Sequence, residues 1–405
     1  MIPVAEAVRI VLEKTEALDA ERVALREAPG RVLAEPVVAD TDLPPFDRAQ
    51  MDGYAVRSTD LAQLPARLRV VGEAAAGQGW RGTLRAGEAV RIMTGAPLPT
   101  GADGVQQVEL ARESEGGDEV EIMRATVPGQ FFVPRASEIK KGAVVLRAGE
   151  EVGAASVAAL ASFGYAEVSV RRRPRVAVLA TGAELVRVDE RPGADQIRDS
   201  NTHSLAAYAA LAGAVVEQMP FAGDEPELLQ RLIADASTRS DVVVLSGGVS
   251  MGRYDFTKAS MRALGAEVFF ERVALRPGKP SVFARLPGAK QTLLFGLPGN
   301  PVSVSVTFNL FARTALRAMQ GALEPMLKEE RGVLSRRTRG TVERTSYLPA
   351  RLFTDEHGRL MAEPLKWGGS SDFVAFARAE ALVIVAADVR EVEAGSVVQL
   401  VRLPV

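Results

Sequence analysis

The stretch RVAVLATG at 175–182 decides the fold, because an apolar run that ends in a glycine turn is typical of a strand buried on both faces. Two later segments, DVVVLSGG at 241–248 and TLLFGLPGNP at 292–301, repeat the pattern. The segments between them have helical character, over 201–214 and 226–236. Strands that alternate with helices predict a parallel sheet with crossover helices.

The flanking regions differ from this α/β segment, which we place at 173–322. Residues 1–172 begin with an amphipathic helix and then become rich in Gly, Pro and Val, which predicts a β-rich insertion at about 45–140. A charged segment leads into short strands, so residues 326–405 are predicted to form a small β-barrel or sandwich. The fold class is therefore multidomain α/β plus β.

Several local patterns give narrower predictions. Residues 23–38 are predicted to form a strand pair around a Pro29–Gly30 turn, and 152–164 a helix that ends at Gly164. The basic run 171–173 is predicted to be a solvated linker. The GxGxxG spacing at 77–82 is interpreted as a β-turn, because no helix-like segment follows it.

Composition excludes several classes of function. Lys plus Arg (49) and Asp plus Glu (51) nearly cancel, which argues against a general nucleic-acid binder. The chain has no cysteine and two histidines, so disulfides, zinc–thiolate sites and His-rich metal sites are excluded. A bound metal would need oxygen ligands, which favours Mg²⁺. Without a signal peptide or a membrane-length apolar run, we expect a cytoplasmic protein with no membrane contact.

Three glycine-rich loops follow strands of the predicted sheet. They cover 181–184 (TGAE), 246–250 (SGGVS) and 296–301 (GLPGNP). Ligands of open parallel sheets bind beyond the carboxyl ends of the strands. In the third loop Asn300 suits a helix N-cap and Pro301 the first helical position, and a helix start favours an anion. Together the loops predict a site for a phosphate-bearing ligand.

Charged side chains flank these loops. Arg272, Arg276 and Lys279 cluster just before the third loop, and such side chains suit the oxygens of phosphate or another oxyanion. The carboxylates that follow separate strands could converge on Mg²⁺. They are Glu184, Asp224 and Asp255.

Seven segments, in order, resemble one family over almost the whole chain. The chain is similar to the MoeA proteins and to the E domain of gephyrin. The matching segments are LPPFDRAQMDGYAV (43–56), RIMTGAPLPTGADGV (91–105), ATGAEL (180–185), RDSN (198–201), LSGGVSMGRYDFTK (245–258), RPGKP (276–280) and LPGNPVSVSVTF (297–308).

This resemblance implies an activity and an assembly. It implies a central α/β molybdopterin-binding domain and transfer of molybdate to adenylylated molybdopterin, with Mg²⁺ and release of AMP. It also implies a homodimer with its active site between subunits, and work alongside other proteins of molybdenum-cofactor biosynthesis. Asp52 and Thr94 are expected to face the partner subunit's central domain.

The site residues follow from the loops and the resemblance together. We expect catalytic roles for Asp52, Glu184 and Asp255, and metal binding by Asp224, Asp255 and Glu184. The expected substrate or oxyanion ligands are Thr94, Ser246, Gly247, Gly248, Ser250, Arg272, Arg276, Lys279, Gly299, Asn300, Ser303, Arg351 and Ser370.

The chain departs from the family pattern at several of these places. Ala183 stands where the family has Asp, Glu138 replaces another Asp, and Ala136 replaces a turn glycine. Pro349 aligns with the oxyanion-binding Arg of the last domain, and Arg351 lies two residues on, on the same face of a strand. Alternatives therefore stay open: tungstate insertion, the adenylyltransferase step, a diverged paralogue, or a non-catalytic dimeric binding module.

Overall fold

The computed structural model describes residues 1–223, 225–249, 256–288 and 290–404. The predicted site residues Asp224, Ser250 and Asp255 lie outside the described residues. The chain divides into two compact units. The first comprises Met1–Glu35, Ala148–Val157 and Glu167–Val405, and the second comprises Pro36–Arg147 and Ala158–Ala166.

The helices are short and lie mostly in the first unit. Their bounds are α1 (Val4–Glu13), α2 (Ala154–Ser162), α3 (Asn201–Leu211), α4 (Pro226–Arg239), α5 (Phe256–Ala263), α6 (Pro301–Thr307), α7 (Arg313–Met319) and α8 (Phe373–Phe376), with 3₁₀ turns at Leu25–Glu27, Ser58–Leu61 and Val108–Leu110. A π-helical segment, Phe308–Ala312, joins α6 to α7. Helix α2 confirms the helix predicted before Gly164, whose φ of +76° suits glycine.

Short strands dominate the N-terminal part of the chain. Their bounds are β1 (Ala20–Ala24), β2 (Val37–Val38), β3 (Arg48–Ala49), β4 (Gly53–Val56), β5 (Ala66–Ala74), β6 (Glu88–Ile92), β7 (Gly104–Gln107), β8 (Ala111–Glu113), β9 (Glu119–Ile122), β10 (Phe132–Val133), β11 (Val144–Leu146) and β12 (Glu167–Arg171). The second unit is built on a six-stranded sheet of order β7-β4-β6-β5-β9-β8, with an apolar cluster on each face. The GxGxxG segment (77–82) begins in a tight turn at 75–78, where Ala75 and Gln78 exchange backbone hydrogen bonds.

Two local predictions from this region are wrong. The predicted strand pair at 23–38 does not form, because β1 pairs with β12 and β2 pairs with β11. The basic run is not a solvated linker either. Arg171 belongs to β12 and donates to the carbonyl oxygen of Leu18 at 2.8 Å, while Arg172 forms a bidentate ion pair with Asp241 at 2.7 and 2.8 Å.

The central sheet has six strands in the order β16-β13-β17-β21-β20-β18. The bounds in this segment are β13 (Arg175–Ala180), β14 (Leu185–Val186), β15 (Ile197–Arg198), β16 (Val215–Gln218), β17 (Val242–Ser246), β18 (Glu267–Arg272), β19 (Leu275–Arg276), β20 (Pro280–Arg285) and β21 (Leu293–Leu297). The first four strands of the sheet are parallel, and β20 and β18 are antiparallel. The predicted parallel sheet is thus extended by an antiparallel edge.

Helices cover both faces of this sheet because its strands are apolar on both sides. Along β13, Val176 and Val178 join a core that includes α1, α3, α6 and α7. The alternate residues Ala177 and Leu179 join a second core with α4 and α5. Burying both faces explains why these strands are continuous apolar runs.

The C-terminal sheet closes on itself. Its strands are β22 (Glu329–Leu334), β23 (Thr338–Arg339), β24 (Thr345–Thr354), β25 (Leu360–Pro364), β26 (Ala381–Val385), β27 (Glu391–Val392) and β28 (Val397–Arg402). The order β24-β25-β22-β28-β26 is closed by pairing of β26 with β24, which gives a five-stranded barrel around one apolar cluster. Part of the charged segment predicted to precede the strands is itself strand β22.

Within the described residues, no helix combines the length and apolar character needed to span a membrane.

Candidate functional site

The three glycine-rich loops meet at one edge of the central sheet. Strands β13, β17 and β21 are parallel neighbours, so their carboxyl ends lie side by side. The backbone N–H of Thr181 donates to the carbonyl oxygen of Ser246 at 3.0 Å, and that of Gly247 donates to Leu297 at 3.1 Å. The convergence predicted from the sequence is therefore present, and backbone hydrogen bonds link adjacent loops.

Glycine is required in the middle loop by its own packing. Gly247 and Gly248 have φ values of +95° and +62°. A Cβ on Gly247 would lie 2.6 Å from the carbonyl oxygen of Thr181, and one on Gly248 would lie 2.5 Å from Thr257 Oγ1. The Thr257 hydroxyl donates to the carbonyl oxygen of Gly247 at 2.9 Å. Thr257 follows the same loop but is not among the site residues that the sequence predicts.

The third loop begins α6, with Asn300 at the N-cap position and Pro301 in the first turn, as predicted. The Asn300 side chain does not cap the helix. It donates through Nδ2 to Ser370 Oγ at 2.9 Å, and the Val302 N–H donates to the carbonyl oxygen of Ser370 at 3.0 Å. The Val302 N–H, one of the backbone donors expected to serve the predicted anion site, is therefore already engaged by Ser370. Ser303, also in the first turn, is only 4% exposed.

The turn that carries Ser370 is held by a carboxylate. Asp372 accepts hydrogen bonds from the backbone N–H groups of Gly368 at 2.8 Å and Ala375 at 3.1 Å. These two N–H groups hold the pKa of the Asp372 carboxyl below its ordinary value. The C-terminal segment thus presents Ser370 to the glycine-rich edge on a fixed turn.

The segment between β18 and β20 carries the basic cluster of Arg272, Arg276 and Lys279, and it reaches the same edge of the sheet. Strand β20 runs antiparallel to β21, with Val282 opposite Gly296, so β20 begins where β21 ends. Arg272, at the end of β18, lies opposite Pro280, at the start of β20. The reversal of direction at β20 therefore brings residues 272–280 to the edge of the sheet at which the third loop begins.

The three basic side chains have different surroundings. Arg276 donates to Thr341 Oγ1 and, at 3.4 Å, to the carbonyl oxygen of Gly340. Lys279 is half-buried, and Arg272 is exposed. Neither makes a side-chain hydrogen bond or ion pair with a residue that the structure describes. Arg276 is therefore engaged by the C-terminal domain, while the Lys279 ammonium near the edge has no partner among the described residues.

Only one of the three predicted metal ligands can be located. Glu184 is exposed, and its carboxylate lies over Gly182, where a Cβ would be 2.6 Å from Glu184 Oε2. The other two, Asp224 and Asp255, lie outside the described residues. Across the ranges that the structure covers, no group of three or more His, Cys, Asp or Glu side chains could hold a metal ion.

In the second unit, Asp52 and Thr94 are in contact. The backbone N–H and the hydroxyl of Thr94 both donate to Asp52 Oδ1, at 2.7 and 2.8 Å. These two donors, the backbone N–H first, hold the pKa of the Asp52 carboxyl below its ordinary value. The MDGY and MTGAP segments, which the sequence predicted separately, therefore meet at this pair.

The departures from the family pattern also have structural settings. Glu138 pairs with Arg48 at 3.3 Å, and Ala136 has a φ of +61°, the region where the family's glycine is unstrained. Pro349 is buried, whereas Arg351 is exposed. Arg351 borders a surface concavity with residues that belong neither to the glycine-rich loops nor to the Ser370 turn: Ser335, Arg336, Leu352, Phe353 and Glu363. Its assignment to oxyanion binding stays a prediction.

Comparison with known proteins covers nearly the whole chain. Family models described as "MoeA N-terminal region (domain I and II)", "Probable molybdopterin binding domain" and "MoeA C-terminal region (domain IV)" match residues 2–164, 177–318 and 331–403. A molybdopterin molybdenumtransferase of Bacillus subtilis is 36% identical over 408 residues, covering 99% of this chain and 94% of that protein. One from a Nostoc species is 40% identical over 307 residues, covering 75% of this chain and 70% of that protein.

Solved structures give the same picture. The crystal structure of a molybdopterin biosynthesis MoeA protein from Pyrococcus horikoshii is 32% identical to this chain, with a TM-score of 0.82 and coverage of 99% of both chains.

Proposed function

Because this chain belongs to the MoeA family of molybdopterin molybdenumtransferases, we propose that it inserts molybdate into adenylylated molybdopterin, with release of AMP, in the cytoplasm. The observation that carries the proposal is the meeting of three glycine-rich loops and the Ser370 turn at one sheet edge. Such an edge binds phosphate-bearing ligands in other α/β sheets. The family relationship supplies the identity of the ligand.

The loops and the basic cluster have separate roles in this proposal. The loops hold the pterin phosphates, and the residues assigned to this role are Ser246, Gly247, Gly248, Ser250, Gly299, Asn300 and Ser303. The Ser246 hydroxyl and the Gly247 N–H already donate to the carbonyl oxygens of Pro298 and Leu297, so these two residues fix the loops while the others meet the ligand. Lys279, with Arg272 and Arg276, attracts the molybdate oxygens, while Ser370 orients the ligand from the C-terminal side. Fixed donors of this kind stabilise developing charge without rearrangement.

Mg²⁺ fits the ligands that the chain can offer. Without cysteine and with two histidines, the chain supplies oxygen ligands, which Mg²⁺ prefers. Glu184 has an exposed carboxylate without a partner in the described ranges, and we assign it to the metal together with Asp224 and Asp255. Mg²⁺ bound there would neutralise charge on the adenylyl phosphate.

The proposed active form is a homodimer in which Asp52 and Thr94 of one subunit serve the central domain of the other. The fixed Asp52–Thr94 pair offers an ionised carboxylate, and the two hydrogen bonds from Thr94 lower its pKa further below the ordinary value. Sedimentation velocity at micromolar concentration should show a dimer. A monomer with full activity would overturn this part of the proposal.

The decisive experiment measures AMP release. Purified protein is incubated with adenylylated molybdopterin, Mg²⁺ and either molybdate or tungstate. AMP release that requires Mg²⁺ and molybdate is expected, and Asp255→Ala should abolish it while the dimer remains. Faster release with tungstate would reassign the oxyanion. No release with either oxyanion would favour the non-catalytic binding module, for which the replacement of the family's Arg by Pro349 is the motivating observation.

A further inference from the structure

Asn201, the first residue of α3, links two of the glycine-rich loops through one side chain. Its Nδ2 atom donates to Ser246 Oγ at 2.8 Å and to the carbonyl oxygen of Gly299 at 2.7 Å. Ser246 belongs to the middle loop and Gly299 to the loop that begins α6. Both donor hydrogens of the amide are therefore used to connect loops that come from different strands.

The orientation of this amide is fixed by its partners. A carbonyl oxygen only accepts, so Gly299 requires the NH₂ group, and not Oδ1, to face it. The hydroxyl of Ser246, which is 2% exposed, directs its own proton to the carbonyl oxygen of Pro298 at 3.3 Å and accepts from Asn201. As a result, Asn201 Oδ1 is buried and has no hydrogen-bond partner among the described residues. Holding the two loops therefore leaves this oxygen unpaired within the described part of the chain, which native structures seldom do.

The start of α3 is anchored independently of the loops. Asp199, which is 3% exposed, accepts a hydrogen bond from the Thr202 N–H at 3.1 Å and another from the Thr202 hydroxyl. Its own N–H donates to the carbonyl oxygen of Val186 at 3.0 Å. The helix start is therefore held by contacts that do not involve either loop.

We propose that Asn201 is a positioning residue that holds the Ser246–Gly248 and Gly299–Asn300 loops at a fixed separation for the anionic ligand. This inference rests on the function proposed above for the identity of the ligand. The loops also share the hydrogen bond from the Gly247 N–H to the carbonyl oxygen of Leu297, and the proposal predicts that Asn201 keeps this bond closed. Without the amide, we expect each loop to fluctuate separately and the ligand-binding geometry to be populated less often.

The first test needs no substrate. Hydrogen–deuterium exchange is measured on peptides that cover 242–249 and 293–302 in the wild type, in Asn201→Ala and in His203→Ala. His203 lies on the same helix and is exposed, and Gln218 is the one hydrogen-bond partner of its side chain within the described ranges, so it is the matched control. Loss of two hydrogen bonds should speed exchange in both peptides roughly tenfold or more, with the control unchanged. Wild-type exchange in Asn201→Ala would overturn the inference.

A second variant distinguishes hydrogen-bond donation by the Asn201 amide from the packing of its side chain. Asn201→Asp keeps the shape but places a carboxylate oxygen against the Gly299 carbonyl and adds negative charge to an anion site. The inference predicts faster loop exchange in Asn201→Asp than in Asn201→Ala, whereas a packing role predicts the opposite order. If Asn201→Ala does not fold, Ser246→Ala removes one of the two linkages and should raise exchange in the 242–249 peptide by a smaller factor.

Turnover then connects the linkage to the proposed reaction. In Asn201→Ala, KM for adenylylated molybdopterin should rise about tenfold with kcat changed less than about twofold, because the loops bind the ligand similarly throughout the reaction. If the wild type releases no AMP, the proposed function fails, yet the exchange result still decides the role of Asn201. If the wild type is active and Asn201→Ala has wild-type KM and exchange, only the positioning inference fails.

Discussion

Asn300 and Ser370 join the central sheet to the C-terminal barrel, with Asn300 Nδ2 donating to Ser370 Oγ at 2.9 Å. The carbonyl oxygen of Ser370 accepts from the Val302 N–H at 3.0 Å, so one residue binds both the loop and the first turn of α6. The C-terminal domain therefore shapes the edge at which the ligand is proposed to bind.

Ser370→Ala tests the side-chain part of this junction. The variant loses the hydrogen bond from Asn300, worth about 0.5–1.5 kcal/mol, but keeps the backbone bond to Val302. We expect a higher KM for adenylylated molybdopterin, with the melting temperature lowered by no more than about 4 °C. Ser371→Ala is the control, because Ser371 is exposed and makes no side-chain hydrogen bond with a described residue. Equal kinetics in the two variants would contradict the role of Ser370.

Lys279→Ala tests the charge at the same edge. Its half-buried ammonium has no partner in the described parts of the chain, so it is available to an anion. Removing a charge-assisted contact should weaken binding of molybdopterin, measured by titration calorimetry, by roughly 1.5–3 kcal/mol. Lys290→Ala, an exposed lysine just before β21 and so at the opposite sheet edge, should leave the affinity unchanged. An unchanged affinity in Lys279→Ala would remove Lys279 from the site.

Thr94→Val tests how the ionisation of Asp52 is controlled. The substitution removes the hydroxyl donor and keeps the backbone N–H, which is the larger cause of the lowered pKa. NMR titration of the Asp52 carboxyl should show a pKa above the wild-type value but still below the ordinary one. Because a carboxylate with a lowered pKa stays charged above that pKa, activity should be lost at a higher pH in the variant as the medium is acidified. A wild-type titration curve would show that the hydroxyl does not contribute.

Sequence patterns were sufficient for the parts of the site that strands deliver. The loops after β13, β17 and β21 were predicted to meet because parallel strands end at one edge, and they do. The hydrogen bond from the Val302 N–H to the carbonyl oxygen of Ser370 could not be predicted, because it depends on how the C-terminal barrel domain packs against α6. Asn201 was missed for a related reason. The two acceptors of its hydrogen bonds lie 45 and 98 residues away in the sequence, so no local sequence pattern predicts these contacts.

Ala136→Gly tests a departure from the family that has a backbone consequence. Ala136 has a φ of +61°, where an L-residue is disfavoured by roughly 1–2 kcal/mol, partly offset by the larger chain entropy that glycine loses. We expect Ala136→Gly to stabilise the second unit by up to about 1 kcal/mol in urea unfolding. Ser137→Gly, at a neighbouring residue with ordinary φ, should destabilise it. Destabilisation by Ala136→Gly would show that the turn is not strained.

Arg172→Met tests the ion pair between Arg172 and Asp241, which lies where the sequence predicts a solvated linker. Burial of Asp241 opposes its ionisation, but the bidentate Arg172 and the Arg175 N–H outweigh burial, so the pKa of Asp241 lies below its ordinary value. At neutral pH the variant should lose about 1–3 kcal/mol of stability, less than for a fully buried pair because Arg172 is 32% exposed.

The pH dependence of this loss has a definite sign. A carboxyl with a depressed folded pKa stabilises the fold above its unfolded pKa, and that contribution disappears as the pH falls through the folded value. The difference in urea midpoint between wild type and Arg172→Met should therefore be full near pH 7 and shrink below about pH 4, the ordinary range of an Asp carboxyl. Arg187→Met, which breaks the exposed pair with Asp189, should change the midpoint at neither pH. A loss of equal size at pH 3 and pH 7 would mean that Arg172 stabilises the fold by packing and not through the charge of Asp241.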